Sequence, residues 1–249
     1  MRLEGKKAVV TGGASGFGKE TALLFAKEGA EVALIDMNLA GAEETAEEIR
    51  KIGGKAWAIQ ADVSDEESVK NAFAKAFESL GVIDILINIA GFGRGGWNIE
   101  DLSLDQWKRL IDVNLQGVFL CCREVIPHME ERKYGKIVNI ASICGQCGRK
   151  VAVDYASSKA GVIGLTRALA MQVAKYGVNV NAVAPGPIVT PIFEKNYTPD
   201  QIKVLMDTIP FSRMGTTMDV ANLFLFLASD ESGWITGECV AVNGGAYMG

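Results

Sequence analysis

Residues 7–36 read KAVVTGGASGFGKETALLFAKEGAEVALID, and this stretch decides the architecture. Lys7 to Thr11 is a short apolar strand that runs into Gly12-Gly13-Ala14-Ser15-Gly16-Phe17-Gly18. A helical pattern follows from Lys19 to Glu28 and stops at Gly29, the residue type that best closes a helix. EVALID is then a second strand, ending at Asp36. Strand, glycine turn, helix and strand in about thirty residues make a βαβ unit.

Outward from this unit the alternation continues. A polar helix from about Leu39 to Ile52 leads to the strand KAWAIQAD, which ends at Asp62. Ser64 is expected to cap the next helix, with Glu67 in the capping-box position, and that helix runs to about Leu80. The strand IDILINIA ends near Gly91, and a glycine-rich loop follows from Gly91 to Gly96. Ser103 caps a long helix whose second half, Asp112 to Glu131, carries an apolar stripe. KIVNIAS ends at Ser142 and precedes a helix from Tyr155 to Tyr176. VNVNAVAP closes on Pro185-Gly186-Pro187, and an irregular segment from Ile188 to Met214 contains a short helix after Pro199. A helix from Met218 to Ala228 and the strand GECVAVNGG complete the chain. Strands separated by helices throughout imply an α/β fold, a doubly wound parallel sheet with right-handed crossovers. With no linker, repeat or low-complexity segment, one domain over residues 1–249 is expected, with residues 188–214 as a lid.

The turn Thr11-Gly12-x-x-x-Gly16-x-Gly18 meets a specific demand. Glycines let backbone approach a pyrophosphate, and the helix N-terminus behind them offers unpaired N–H groups and the positive end of its dipole. Asp36, at the end of the second strand, is placed to accept hydrogen bonds from ribose hydroxyls and to repel a 2′-phosphate. Neither Met37 nor Ser15 supplies the cation that a 2′-phosphate wants. Asp62 and Val63, at the third strand's end, are placed to frame an adenine.

The chain is 49% apolar and 22% charged with a formal net charge of −5, and it has no block rich in Lys and Arg. Nucleic-acid grip is therefore not expected. No run of eighteen apolar residues and no signal-peptide core is present, so the expectation is a cytoplasmic protein without a membrane partner. Five cysteines, an odd number, argue against a disulfide framework. Cys144-x-x-Cys147 has the spacing of half a zinc site, but Cys121-Cys122 cannot complete it and the one histidine, His128, sits in the long helix. No metal is expected, and free thiols near the active site are.

Tyr155 and Lys159 lie four apart on one helical face. An ammonium beside a phenol favours the phenolate, so Tyr155 is expected to be more acidic than its reference value of about 10 and to serve as a proton donor or acceptor. Ser142 adds a hydroxyl at the end of a strand.

With these residues in order, the sequence resembles the short-chain dehydrogenase/reductase family, in its branch of about 250 residues. The resemblance covers essentially the whole chain. It is carried by Thr11-Gly12-x3-Gly16-x-Gly18, Asp62-Val63, Asn88-x-Ala90-Gly91, Asn114, Ser142, Tyr155-x3-Lys159, Pro185-Gly186 and Ile235-Thr236-Gly237. It implies a Rossmann-like fold, a nicotinamide cofactor, a catalytic tetrad of Asn114, Ser142, Tyr155 and Lys159, and a homotetramer. In the family's manner Tyr155 exchanges the substrate hydroxyl proton while hydride moves to or from the nicotinamide. Lys159 lowers the Tyr155 pKa and bonds the nicotinamide ribose, Ser142 holds the substrate oxygen, and Asn114 holds a water that links Lys159 to solvent. Pro185, Gly186 and Thr190 surround the nicotinamide, and the Ile188 N–H meets its carboxamide. Where the family usually has a second asparagine, this chain has Ile89, which removes an amide expected to steady the central strands.

The substrate pocket is expected to be walled by Gly93–Trp97, Ile143–Val153 and Ile188–Met214. The candidates are Arg94, Trp97, Cys144, Gln146, Arg149, Phe193, Met206 and Phe211. The expected reaction is NAD-dependent interconversion of a secondary alcohol and a ketone, with NADP disfavoured by Asp36. The alternatives are a 3-oxoacyl-thioester reductase and a nicotinamide-binding module without turnover. An epimerase or lyase on the extended fold would want a longer C-terminal part.

Overall fold

In the computed structural model, which covers residues 1–249 and describes all but 94–97, 151 and 191–197, the alternating pattern is realised as one seven-stranded parallel sheet. The strands are β1 (Lys7–Thr11), β2 (Glu31–Asp36), β3 (Ala56–Gln60), β4 (Ile85–Asn88), β5 (Gly135–Ile140), β6 (Val178–Pro185) and β7 (Cys239–Val242). Their order across the sheet is β3-β2-β1-β4-β5-β6-β7. The register pairs Val9 with Ala33 on one side and with Leu86 on the other, so β1 is an interior strand, buried on both faces. That is why its core is unbroken AVV rather than an alternating pattern.

Two apolar layers cover the faces. One buries α1 (Gly16–Lys27) and α2 (Leu39–Lys51) through Phe25 and Ile49, and, as the last helix, Thr217–Ala228 through Phe224. The other buries α3 (Glu66–Leu80), the helix Gly117–Arg132 and the helix Val153–Val173 through Phe73, Val125 and Val162. In chain order α4 is Leu104–Ile111, α5 Gly117–Arg132, α6 Ile143–Cys147, α7 Val153–Val173, α8 Pro199–Met206 and α9 Thr217–Ala228.

Two expectations change here. The cap of α3 is Asp65, whose carboxylate accepts the Ser68 N–H at 2.7 Å, while Ser64 turns back to Asp62 at 2.6 Å. The predicted long helix from Ser103 is interrupted by a π turn over Asp112–Gln116, which separates α4 from α5. Ser103 does cap α4, in a reciprocal capping box with Gln106. The missing amide at Ile89 is compensated. Thr11 Oγ1 accepts the N–H groups of Ile89 and Ala90 at 3.0 and 3.1 Å, and Asn88 donates to Asn139, which donates to Thr166. This buried polar ladder ties β4 to β5 and to α7.

Reversal of strand order between β1 and β4 leaves a crevice at their C-terminal ends, the usual ligand position of open parallel sheets. Into it open the loops after β1, β4, β5 and β6.

Candidate active site

The crevice is a cleft of about 1510 Å³. One end is made by the glycine turn. Gly12 has φ +73, and a Cβ there would stand 2.9 Å from Ala90 N. A Cβ at Gly18 would lie 1.9 Å from the Gly12 carbonyl oxygen, so α1 can start this close to β1 only with glycine there. Gly16 has φ +53, and its Cβ would meet nothing within 4 Å. Ser15 is the N-cap of α1 yet makes no side-chain capping bond, and the first turn holds no acidic residue. Unpaired N–H groups at a helix start beside open space suit a pyrophosphate. These residues fit a dinucleotide.

Asp36 closes that end. Its two oxygens accept the Ala14 N–H at 3.0 Å and the Asn38 N–H at 2.8 Å, which fixes the carboxylate facing the cleft. Met37 lies beside it, 60% exposed. Asp62 and Val63 line the next part of the wall, with Asp62 Oδ1 held in a turn by Ser64 N at 2.9 Å. Ser15, Phe17, Ala90, Gly91, Pro185, Gly186, Ile188 and Thr190 also line the cleft, as expected from the sequence. Gly18 and Asn88 do not; both act from behind the wall, Gly18 by contact and Asn88 in the buried ladder.

At the other end α6 and α7 bring Ser142, Tyr155 and Lys159 to the same cleft. Ser142 caps α6, its Oγ accepting the Cys144 N–H at 3.2 Å. Gly145 allows α6 to lie against α7, since a Cβ there would be 2.6 Å from the Lys159 carbonyl carbon. Sequence reasoning passed over Gly145; its only signal is a glycine next to Cys144 in the segment expected to wall the pocket.

Lys159 is buried, and its Nζ donates to the Ile140 carbonyl at 3.0 Å and lies 5.8 Å from the centre of the Tyr155 ring. Burial pushes its pKa down to about 8. Burial likewise pushes Tyr155 up to about 12, reinforced by the Cys144 thiol and opposed by the Ser142 hydroxyl and the Arg149 charge. The expected acidic phenol is therefore not found. The ammonium is turned to β5, and desolvation of the phenolate outweighs it.

Asn114 lies behind the cleft wall. It sits in the π turn, fully buried and outside the cleft lining, with Oδ1 accepting the Phe92 N–H at 3.0 Å and Nδ2 donating to the Phe92 carbonyl at 2.8 Å. Its side chain clamps the loop after β4. Ser158 joins this clamp, 3.5 Å from Asn114 Nδ2 and donating to the Tyr155 carbonyl at 2.8 Å.

Of the substrate candidates, Cys144 and Arg149 line the cleft. Gln146, Met206 and Phe211 do not, and Phe211 is 72% exposed. The lid instead presents Gln201, Val204, Leu205 and Thr208, one face of α8 and the turn after it. Arg94, Trp97 and Phe193 lie outside the described residues. Lys108 and Arg109 of α4 line the cleft and were missed by sequence reasoning. His128 is structural: its Nε2 accepts the Ile83 N–H at 3.4 Å and its ring packs edge-on against Phe77. Among the described residues no cluster of three metal-ligating side chains occurs, and no helix is long and apolar enough to cross a membrane.

The family model described as enoyl-(acyl carrier protein) reductase matches residues 12–247. The chain belongs to the short-chain dehydrogenase/reductase family. It is an oxidoreductase of that family with a Rossmann-like fold. A 3-oxoacyl-(acyl-carrier-protein) reductase of Thermotoga maritima is 40% identical over 249 residues, with both chains covered in full. Subunit BbsD of a hydroxy(phenyl)methylsuccinyl-CoA dehydrogenase from Thauera aromatica is 41% identical over 250 residues, covering 100% of this chain and 99% of that one. Among solved structures, levodione reductase superposes with a TM-score of 0.94 at 31% identity, with 98% of each chain covered.

Proposed function

We propose that this protein is an NAD-dependent dehydrogenase/reductase that interconverts a secondary alcohol and a ketone. The observation that carries this reading is one cleft with the fixed Asp36 carboxylate at one end and Ser142, Tyr155 and Lys159 at the other. Asp36 accepts from ribose hydroxyls and disfavours the added charge of a 2′-phosphate. When bound, the nicotinamide ring supplies or accepts the hydride. Ser142 donates to the substrate oxygen and holds it within reach of the phenol. Tyr155 gives its proton to that oxygen in reduction and takes it back in oxidation. A phenol at about 12 keeps its proton at neutral pH, which favours the donor role; oxidation requires added positive charge beside it. Lys159 supplies charge from below, and Asn114 with Ser158 fixes the loop that closes the side of the cleft.

A second reading, reduction of a 3-oxoacyl thioester, is favoured by the thioester named for the Thermotoga and Thauera relatives and by three cations, Lys108, Arg109 and Arg149, that line the cleft. Such cations suit the phosphates of a pantetheine carrier. The test is to titrate NADH and NADPH separately and then compare acetoacetyl-CoA with simple cyclic and open-chain ketones by nicotinamide absorbance. Tighter binding of NADPH overturns the role given to Asp36. Turnover of the thioester alone selects the second reading. We further propose a homotetramer formed through the outer faces of α5 and α7, where Phe119 and Met171 are 43% and 87% exposed; sedimentation of a Met171→Glu variant tests it.

A further inference from the structure

The cysteine pair Cys144-x-x-Cys147 has no part in the reaction as derived, yet both residues line the substrate end of the cleft. They stand on α6, a helix of five residues that begins immediately after Ser142. On a helix, residues three apart share a face, and the residue after the first points about 100° away from it. Here that intervening residue is Gly145, the one pressed against the α7 backbone. The two thiols are therefore turned away from α7 and toward the cleft. Cys147 is exposed, with its Sγ donating to the Ile143 carbonyl at 3.1 Å. The same Sγ lies 3.4 Å from the Gly148 carbonyl oxygen, at the open end of the helix.

We propose that Cys144 and Cys147 form a covalent modification site in the cleft wall, where a peroxide joins the two thiols and displaces Ser142 from the reacting position. The Cys147 thiolate attacks one peroxide oxygen, the O–O bond breaks, and the departing hydroxide takes a proton to leave as water. The Cys144 thiolate then attacks the resulting sulfenic sulfur. An S–S bond forms, the S–O bond breaks and a second water leaves, so the two thiols lose two electrons to the peroxide. Helical spacing sets the two Cβ atoms about 5–6 Å apart, whereas a disulfide wants about 3.5–4.5 Å. The turn must therefore tighten by about 1–2 Å. Its far end has room for this, since Gly148 closes α6 at φ +74 and a Cβ there would meet nothing within 4 Å. Its near end carries the consequence, because the Cys144 N–H is the donor that holds Ser142 Oγ. The other thiols lie elsewhere: Cys121 and Cys122 are buried in α5, and Cys239 stands on β7.

The proposal rests on the reading of Ser142 as holder of the substrate oxygen, and the experiment separates the two. The reduced protein is treated with hydrogen peroxide, mapped by peptide mass spectrometry, and assayed for NADH binding and ketone turnover before and after dithiothreitol. A Cys144–Cys147 bond is expected, with turnover falling at least tenfold in step with it, NADH binding unchanged and turnover restored by the reductant. A Cys147→Ser variant, compared with its own untreated rate, should lose none of it to peroxide. A map in which Cys144 and Cys147 stay unlinked overturns the site, whether or not any substrate is turned over. A bond that forms while turnover persists overturns the coupling through Ser142. Lack of turnover in the reduced protein counts against the functional reading, and the map then decides the cysteine pair alone.

Discussion

Under β1 and β2 the cleft is shaped by backbone, while beside α6 and α8 it is shaped by side chains. At the first end Gly12 and Gly18 are contacts that no other residue can make, and Asp36 is locked by two main-chain N–H groups. At the second end Ser142, Cys144, Val204 and Leu205 stand on short helices with space in front of them. Steric demands on main chain leave few sequences that satisfy them. Side chains facing open space are free to change, so this end is where members of one family can differ in what they bind.

This contrast can be broken by substitution. The largest effect is expected for Tyr155→Phe, which should lower turnover by about 10²–10⁴-fold while leaving NADH affinity within about twofold. Steady-state kinetics with a cofactor titration checks it, and retained turnover would remove the proton carrier. Gly18→Ala should do the reverse. Its methyl group would fall within 1.9 Å of the Gly12 oxygen, so about 3 kcal/mol of stability should be lost together with cofactor binding. Denaturant unfolding reads it, and an unchanged midpoint would show that the turn yields more easily than its geometry says.

Lys159→Met sharpens the comparison, because it should cost activity and gain stability. The buried ammonium has its pKa lowered from 10.5 to about 8, so between those values the unfolded chain binds the extra proton and stability rises with pH. Below about 8 the full penalty for the buried charge is present. The variant should therefore be more stable than the parent by about 1–3 kcal/mol at pH 7, with the gap narrowing toward pH 9.5. Equal unfolding midpoints at pH 7 would count against this. The smallest effect is expected for Val204→Ala, which trims the apolar face of α8. It should raise KM for a ketone roughly threefold with kcat and stability unchanged. A change in NADH affinity instead would mean that α8 serves the other end.

The same division explains what could be read without coordinates. The parallel sheet was legible because buried interior strands carry apolar runs such as AVV in β1 and ILI in β4, and the glycine turn because its spacing reflects backbone contact. Asp36, Ser142, Tyr155 and Lys159 all face the cleft as their positions at strand ends or on a helix face implied. What failed depended on orientation. The π turn at Asn114 shifts the helix by one residue, and sequence periodicity carries no marker for it. Which face of α8 meets the cleft depends on how that helix docks, so Met206 and Phe211 were chosen where Gln201, Val204, Leu205 and Thr208 stand. The Tyr155 pKa was misjudged because i,i+4 spacing measures proximity, whereas burial of the phenol sets the sign.

Strand order has a consequence for how the chain is made. β1 lies inside the sheet, and its second neighbour begins only at Ile85. At a ribosomal pace of about 5–20 residues per second, Lys7–Thr11 waits roughly 4–15 s with one edge unpaired after it emerges. During that interval β1, β2 and β3 with their two helices form a half-sheet whose open side is a strand with the buried apolar run AVV. An exposed edge of that kind invites pairing with another nascent copy. Slow synthesis between Gln60 and Ile85 should therefore hurt yield more than slow synthesis anywhere after Asn88.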